Sequence, residues 1–382
     1  MISFEEARRL FLSRIRKFGM DDTEILPVEE AHLRVSAESV ASPIDIPHYD
    51  RAKMDGYAVR SSATKGASRK TPVELLVGEE VSNSTCVWVN TGDAMPEGSD
   101  AVVKVEDVVL DGDVVKIYRA VKPFENVERK GEKVGRGDII VRKGDVLKAA
   151  HIALLRSAGV RKIGVFRKPR VLVVPTGDEL IEPNDDLVAG KIFESNGLMI
   201  SCYIREWGGE AVQSSIVRDD PVKIRKVLMS KGFDLIVTTG GTSVGKRDHV
   251  YRILSDCGEV LFRGVALRPG KSAIAGVVES TPVLSMPGTP AACISLAHLF
   301  LKPAIYRMLN RGGEVSFEVK LEGKIISKTG YTDFVAVSVD FDTMAARPVS
   351  NGELGMVDAN GYVLIPEEVK EFGVGKIIVY LI

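Results

Sequence analysis

Apolar residues recur every three to four positions between Ile2 and Phe18, with charges between them, and this spacing predicts an amphipathic helix. Ser3 followed by Glu6 has the spacing of a capping box that would start it. A polar stretch with Pro43 and Pro47 follows. From about Tyr57 the pattern shortens to β-branched runs (PVELLV, CVWVN, DAVVKVEDVVL, DVVKIYRAV, DIIVRKGDVL) broken by Gly and Asp, which predicts a strand-rich unit of about a hundred residues. KAAHIALLRSAG, residues 148–159, returns to helical spacing and stops on Gly159.

From Pro169 strands and helices alternate. RVLVVP, AVQSSIV, DLIVTT and PVLSM read as strands. SNGLMISCYIREWGG, DPVKIRKVLMSKG, DHVYRILSDCG and the long AACISLAHLFLKPAIYRML read as helices between and after them. That order predicts a doubly wound, mainly parallel α/β domain with right-handed crossovers. After Arg311 the alternating runs EVSFEVKLEGKIIS, DFVAVSVDF, YVLIP and KIIVYLI predict a small β-barrel or sandwich. The fold class expected is multidomain α/β plus β.

Composition narrows the function classes. With 382 residues, two to four domains are expected. Lys plus Arg number 51 against 52 Asp plus Glu, so binding nucleic acid through bulk positive charge is disfavoured. No apolar run approaches a membrane span, and the N-terminal residues lack the continuous apolar stretch of a signal peptide. A cytoplasmic protein is expected. Cys86, Cys202, Cys257 and Cys293 form no C-x-x-C pair and read as isolated buried thiols. The five histidines are scattered, with no metal or nucleophile spacing, and His298 reads as a satisfied core residue. No G-x-S-x-G elbow supports covalent hydrolase chemistry.

Ligands of doubly wound sheets bind outside the carboxyl ends of the strands. Three glycine turns fall at such ends: Thr176-Gly177-Asp178-Glu179, Thr239-Gly240-Gly241-Thr242-Ser243 and Pro287-Gly288-Thr289. Glycine permits close backbone approach, and free N–H groups before a helix attract an anion. Neither G-x-x-x-x-G-K-[ST] nor G-x-G-x-x-G is present. Instead, TTGGTSVGKRDH passes through Gly245 and ends on an acid, Asp248. An acid beside a phosphate cradle calls for a bridging cation, and Mg²⁺ takes one or two carboxylates plus phosphate oxygens. Asp248 and Glu179 are the candidate ligands; a helix N-cap is the other reading of Asp248. Arg263, Arg268 and Lys271 around a Pro-Gly turn would neutralise phosphate or an oxyanion, or form a solvated hairpin edge. Asp55-Gly56 and Thr91-Gly92 mark two further loops, read either as hairpin turns or as contacts to a ligand held by the α/β domain, that of a partner subunit included.

Taken in order, PIDIPHYDRAKMDGYAV, NTGDAMPEGSDAVVK, PTGDEL, ESNG, RDDP, TTGGTSVGKRDHV, RPGKS and MPGTPA resemble the MoeA family, the molybdopterin molybdenumtransferases, which includes the E domain of gephyrin. The resemblance covers the chain from about Pro43 to Pro290. It implies four parts: a split helical and extended linker domain (1–45 with 146–168), a β-rich insertion (46–145), an α/β molybdopterin-binding domain (169–311) and a C-terminal β-barrel (312–382). It also implies a homodimer with its site between subunits. The implied reaction inserts molybdate, or tungstate, into adenylylated molybdopterin with Mg²⁺-dependent cleavage of the adenylate, releasing AMP and cofactor. Contact with the adenylyltransferase of the same pathway is a further expectation; nucleic acid and membrane are not.

By position, Asp248, Glu179, Thr91 and Asp55 match catalytic residues of the family. Thr176, Gly177, Asp178, Ser195, Asn196, Gly240, Gly241, Thr242, Ser243, Gly245, Arg268, Lys271, Pro287 and Gly288 match its substrate-binding stretches. The chain departs from the pattern that the resemblance implies at Lys133, Ser272, Thr289 and Tyr331, where an acid, a proline, an asparagine and an arginine respectively are usual. Two other readings stay open: a molybdopterin adenylyltransferase, and a non-catalytic dimeric scaffold of the gephyrin type.

Overall fold

The computed structural model describes residues 1–241, 249–349 and 353–382. Helix α1 (Phe4–Ser13) starts where Ser3 Oγ accepts the Glu6 N–H at 3.3 Å. Its apolar stripe, Phe4, Ala7 and Phe11, is buried in the core of the α/β unit, with Phe300 edge-on to Phe4 and Phe11. The linker unit is built from chain ends far apart in sequence. Strand Thr23–Pro27 pairs with Lys162–Phe166, and Val40–Ala41 with Ile139–Val141. Helix α2 (Ala149–Ser157) covers them and ends before Gly159, whose φ is +79°.

The β-rich insertion holds a six-stranded sheet ordered Ala101–Lys104, Gly56–Val59, Thr85–Val89, Val73–Val77, Val114–Ile117 and Val108–Asp111. Gly56 is required there, because a Cβ would lie 2.1 Å from the Val103 carbonyl oxygen.

The α/β unit contains strands β1 (Arg170–Pro175), β2 (Glu210–Gln213), β3 (Leu235–Thr239), β4 (Gly258–Arg263), β5 (Ile274–Val278) and β6 (Thr281–Met286). Their sheet order is β2-β1-β3-β6-β5-β4. The first four strands run parallel, and β5 and β4 extend the sheet as an antiparallel hairpin. Helices α3 (Asn196–Glu206), α4 (Pro221–Leu228) and α5 (His249–Cys257) join the parallel strands and β4. The long helix expected after β6 runs without a break as α6 (Pro290–Leu296), a π-helical stretch over Ala297–Leu301 and α7 (Lys302–Met308).

The C-terminal strands close into a barrel, which settles barrel against sandwich. β7 (Ser316–Leu321), β8 (Thr332–Asp340), β9 (Ala345–Pro348), β10 (Gly361–Ile365) and β11 (Gly375–Leu381) are ordered β8-β9-β7-β11-β10, and β10 pairs back onto β8. A short helix, α8 (Glu353–Asp358), leads into β10. Residues Leu267–Arg268, from the loop between β4 and β5, add a parallel rung to β8.

His298 sits where barrel and α/β unit meet, fully buried among Tyr203, Trp207, Phe334 and Tyr362. It is a core residue, yet neither ring nitrogen has a hydrogen-bond partner, contrary to the expectation of a satisfied histidine. Burial, aided by the nearby Lys302 charge, pushes it down to about 3, so the imidazole is neutral. The thiols also differ from expectation: Cys86 and Cys293 are buried, Cys257 is half-buried and Cys202 is exposed. Burial pushes Cys86 up to about 11 and Cys293 up to about 12, which keeps both protonated at neutral pH.

Candidate functional site

The sheet register brings the three glycine turns together. Pro175, Thr239 and Met286 are paired across β1, β3 and β6, so the next residue of each strand begins a turn at one edge. Thr176 N–H donates to the Thr239 carbonyl and Gly240 N–H to the Met286 carbonyl, each at 2.9 Å. The packing leaves no room for a side chain at Gly240. A Cβ there, where φ is +96°, would lie 2.2 Å from the Thr176 carbonyl oxygen. Gly240→Ala is therefore expected to cost at least about 2 kcal/mol, from the left-handed backbone and the clash together. Urea unfolding of the variant measures this, and an unchanged midpoint would contradict the packing.

Three adjoining chambers open along this edge. The first, of about 320 Å³, is lined by Thr176, Glu179, Ser195, Asn196, Thr239 and Gly288, among others. Ser195, Asn196 and Pro290 also line a second chamber, of about 620 Å³, against α3, α6 and α8. Ala291 is shared between that chamber and a third, of about 710 Å³, between the α/β unit and the barrel.

Of the residues singled out in the sequence, Thr176, Glu179, Ser195, Asn196 and Gly288 meet in the first chamber. Gly177, Gly240, Gly241 and Pro287 shape its turns. Asp178 holds the neighbouring backbone: its carboxylate accepts the Asp219 N–H at 3.2 Å, and its carbonyl accepts Lys191 Nζ at 2.6 Å and Arg218 Nη1 at 2.7 Å. Thr242, Ser243, Gly245 and Asp248 lie outside the described residues.

Lys271 and Arg268 line the third chamber. Arg268 is committed to a carboxylate: its Nε and Nη2 reach Asp333 at 2.7 and 2.5 Å, and Asp333 is itself buried. Arg263 stacks over Tyr251, with its guanidinium 4.0 Å from the ring centre. The sequence reading missed Lys324 and Lys328 of the barrel, which line the chamber with Lys271. The Arg268, Lys271 and Lys328 cations lie 5.7, 5.8 and 5.7 Å from the Tyr331 ring. The lysines of GKIISKTGY were the available signal, but nothing local tied that stretch to Lys271.

Asp55 and Thr91 meet in the β-rich insertion. The Thr91 N–H and hydroxyl donate to one Asp55 oxygen at 2.6 and 2.8 Å. These bonds hold the exposed Asp55 carboxyl below its usual range. Lys133, one of the departures noted in the sequence, pairs with Glu128 at 2.8 Å.

Among the described residues, no three His, Cys, Asp or Glu side chains converge on a metal position. Glu179 supplies one exposed carboxylate to the first chamber, which is the kind of single oxygen donor that a phosphate-bridged Mg²⁺ uses. No helix among the described residues is long and apolar enough to cross a membrane.

Fold and site define a multidomain α/β protein with a ligand cleft at the carboxyl ends of its parallel strands and a barrel closing one side. Residues 2–159 match the MoeA N-terminal region (domains I and II), and residues 172–307 match the family described as "Probable molybdopterin binding domain". A molybdopterin molybdenumtransferase of Haemophilus influenzae is 31% identical, with 81% of this chain and 78% of that protein covered. One of Staphylococcus aureus strain COL is 30% identical, over 91% and 88%. The crystal structure of the molybdopterin biosynthesis MoeA protein of Pyrococcus horikoshii OT3 is 29% identical, covers 100% of both chains and superposes with a TM-score of 0.86. The chain belongs to the MoeA family of molybdenum cofactor biosynthesis enzymes.

Proposed function

We propose that the chain is a molybdopterin molybdenumtransferase that accepts adenylylated molybdopterin from the adenylyltransferase of the same pathway, inserts molybdate or tungstate and releases AMP with the finished cofactor. The observation that carries this reading is a run of adjoining chambers with the three glycine turns at one end and Lys271, Lys324 and Lys328 at the other. Backbone turns suit a pyrophosphate, and ammonium groups suit a tetrahedral oxyanion. Glu179 would hold Mg²⁺ beside the phosphates, and the bound ion supplies compensation for charge developing as the phosphoanhydride breaks. An adenylyltransferase needs no oxyanion chamber, and the two lysines that the barrel adds beside Lys271 support the transferase reading over it.

A single-turnover mixture of protein, adenylylated molybdopterin, Mg²⁺ and either molybdate or tungstate tests the reading. Oxyanion-dependent AMP release with metal in the pterin is expected; AMP release indifferent to oxyanion overturns it. ¹⁸O carried into AMP from labelled molybdate or from labelled water identifies the attacking oxygen.

We infer further that Asp55 and Thr91 act on the site of a second copy. The hydrogen bonds between them stay within the insertion, while Glu179 belongs to the α/β unit. In a two-fold dimer with shared sites, mixing inactive Asp55→Ala with inactive Glu179→Gln restores one intact site per mixed dimer, about a quarter of wild-type activity on random exchange. No recovery after verified subunit exchange would place both residues on one chain's site.

A further inference from the structure

Four cations line the chamber between the α/β unit and the barrel, and only two of them are matched by acids. Arg268 is chelated by Asp333, and Lys324 Nζ lies 2.7 Å from the Glu371 carboxylate. Among the described residues, no carboxylate pairs with Lys271 or Lys328. Two like charges facing one space repel, so something other than an acid keeps them there.

What they share is one aromatic ring. The Lys271 and Lys328 ammonium groups lie 5.8 and 5.7 Å from the centre of the Tyr331 ring, and the Arg268 guanidinium lies 5.7 Å from it. The face of such a ring attracts cations through its quadrupole while carrying no net charge. We propose that Tyr331 is a positioning residue: its ring gathers the Lys271 and Lys328 ammonium groups at the chamber wall and leaves both charges free for an incoming anion. The inference deepens the proposed function and rests on its placement of the oxyanion in this chamber.

A carboxylate in place of the ring would hold the lysines more tightly, but the anion would then have to displace it. Asp333 and Glu371 act in that way on Arg268 and Lys324. The position of the ring is set from both sides. Gly330 N–H donates to the Glu367 carbonyl at 2.8 Å, within the barrel. Thr332 N–H donates to the Ala266 carbonyl at 2.9 Å, across to the loop that carries Lys271. Tyr331 therefore stands between the two sources of free charge, the barrel segment of Lys328 and the α/β loop of Lys271. Without the ring each flexible lysine stem would sample solvent, and an anion would have to collect both ammonium groups as it bound.

Two measurements on the full chain test this: molybdate binding by calorimetry without pterin, and single-turnover AMP release across a molybdate titration. Tyr331→Phe keeps the ring, and Tyr331→Leu removes it at similar bulk. Tyr331→Gln is a second ring-free variant should the thermal melt of the leucine variant shift. Molybdate affinity is expected within about twofold of wild type in Tyr331→Phe and about tenfold weaker without the ring. The molybdate concentration at half-maximal AMP release should rise by the same factor. The maximal rate should fall by no more than about threefold, because the bound anion itself draws the lysines in. In a Lys271→Ala background the loss on removing the ring should shrink to about threefold, since only Lys328 is left to gather. Equal losses in Tyr331→Phe and Tyr331→Leu would assign the effect to the hydroxyl and overturn the proposal. So would wild-type affinity in a folded ring-free variant, or a tenfold loss undiminished by Lys271→Ala. AMP release that depends on molybdate identically in the wild type and a folded ring-free variant refutes the role of Tyr331 alone. A wild type that neither binds molybdate nor releases AMP in response to it refutes the proposed function, on which this role stands.

Discussion

Lys271→Ala is expected to lower oxyanion-dependent AMP release by about 100-fold, with the melting temperature unchanged. A 100-fold loss corresponds to about 2.7 kcal/mol of transition-state stabilisation. One unit charge about 4 Å from another contributes roughly 4 kcal/mol at the effective dielectric of a protein surface, so a single ammonium beside a doubly charged oxyanion is large enough. The loop itself should survive, because it is held through backbone: Val265 N–H donates to the Lys271 carbonyl at 3.0 Å, and alanine keeps that bond. Lys324 and Lys328 line the same chamber and account for the residual rate. Single-turnover rates across a molybdate titration measure the effect. Wild-type rates at both low and saturating molybdate would remove Lys271 from the oxyanion site.

Asp22→Ala is expected to destabilise the chain by about 3 kcal/mol, the low end for breaking a buried ion pair. The Asp22 carboxylate is almost wholly buried and bridges two arginines: Arg16 at 2.5 Å and Arg167 at 3.0 Å. Arg167 continues to Asp234 at 2.7 Å and lies over the Phe18 ring, with its guanidinium 4.3 Å from the ring centre. The network thus ties the linker unit to the start of the α/β unit. The value sits at the low end because the Arg16 side chain is 61% exposed and regains water when its partner is lost. The same group predicts a pH dependence. The Arg16 hydrogen bond, with the Gly19 N–H and Arg167, holds Asp22 well below the usual carboxylate range. Its contribution is therefore complete above the unfolded value of about 4 and is lost progressively as pH falls below it toward the folded value. Urea unfolding from pH 7 down to pH 3 should show wild type losing stability faster than Asp22→Ala. Parallel curves would mean that Asp22 does not titrate differently in the folded chain.

What the sequence made legible was local. LIVTT and PVLSM are apolar because their strands lie inside a sheet covered on both faces, and the turn after LIVTT is glycine because the Thr176 turn crowds it at the same edge. The α1 start was readable because its cap is made three residues away. Long-range partners were not readable. Arg268 looked like an anion ligand until Asp333, distant in sequence, appeared against it. Lys324 and Lys328 become site residues only because the barrel closes and turns that end toward Lys271. The linker strand TEILP is short and half polar, and it reads as a strand only once Lys162–Phe166 is beside it. His298 carried no local sign that both its nitrogens would be left without partners, since that follows from the ring of aromatics that two units assemble around it.

The rung that Leu267–Arg268 adds to β8 has a mechanical meaning. The same short loop carries Lys271, and the Arg268–Asp333 pair rivets it to the barrel beside that rung. The barrel cannot swing away from the α/β unit without pulling the loop after it. A barrel that moves therefore carries Lys271 along with Lys324 and Lys328, so the three ammonium groups keep their spacing and the lysine wall travels as one piece.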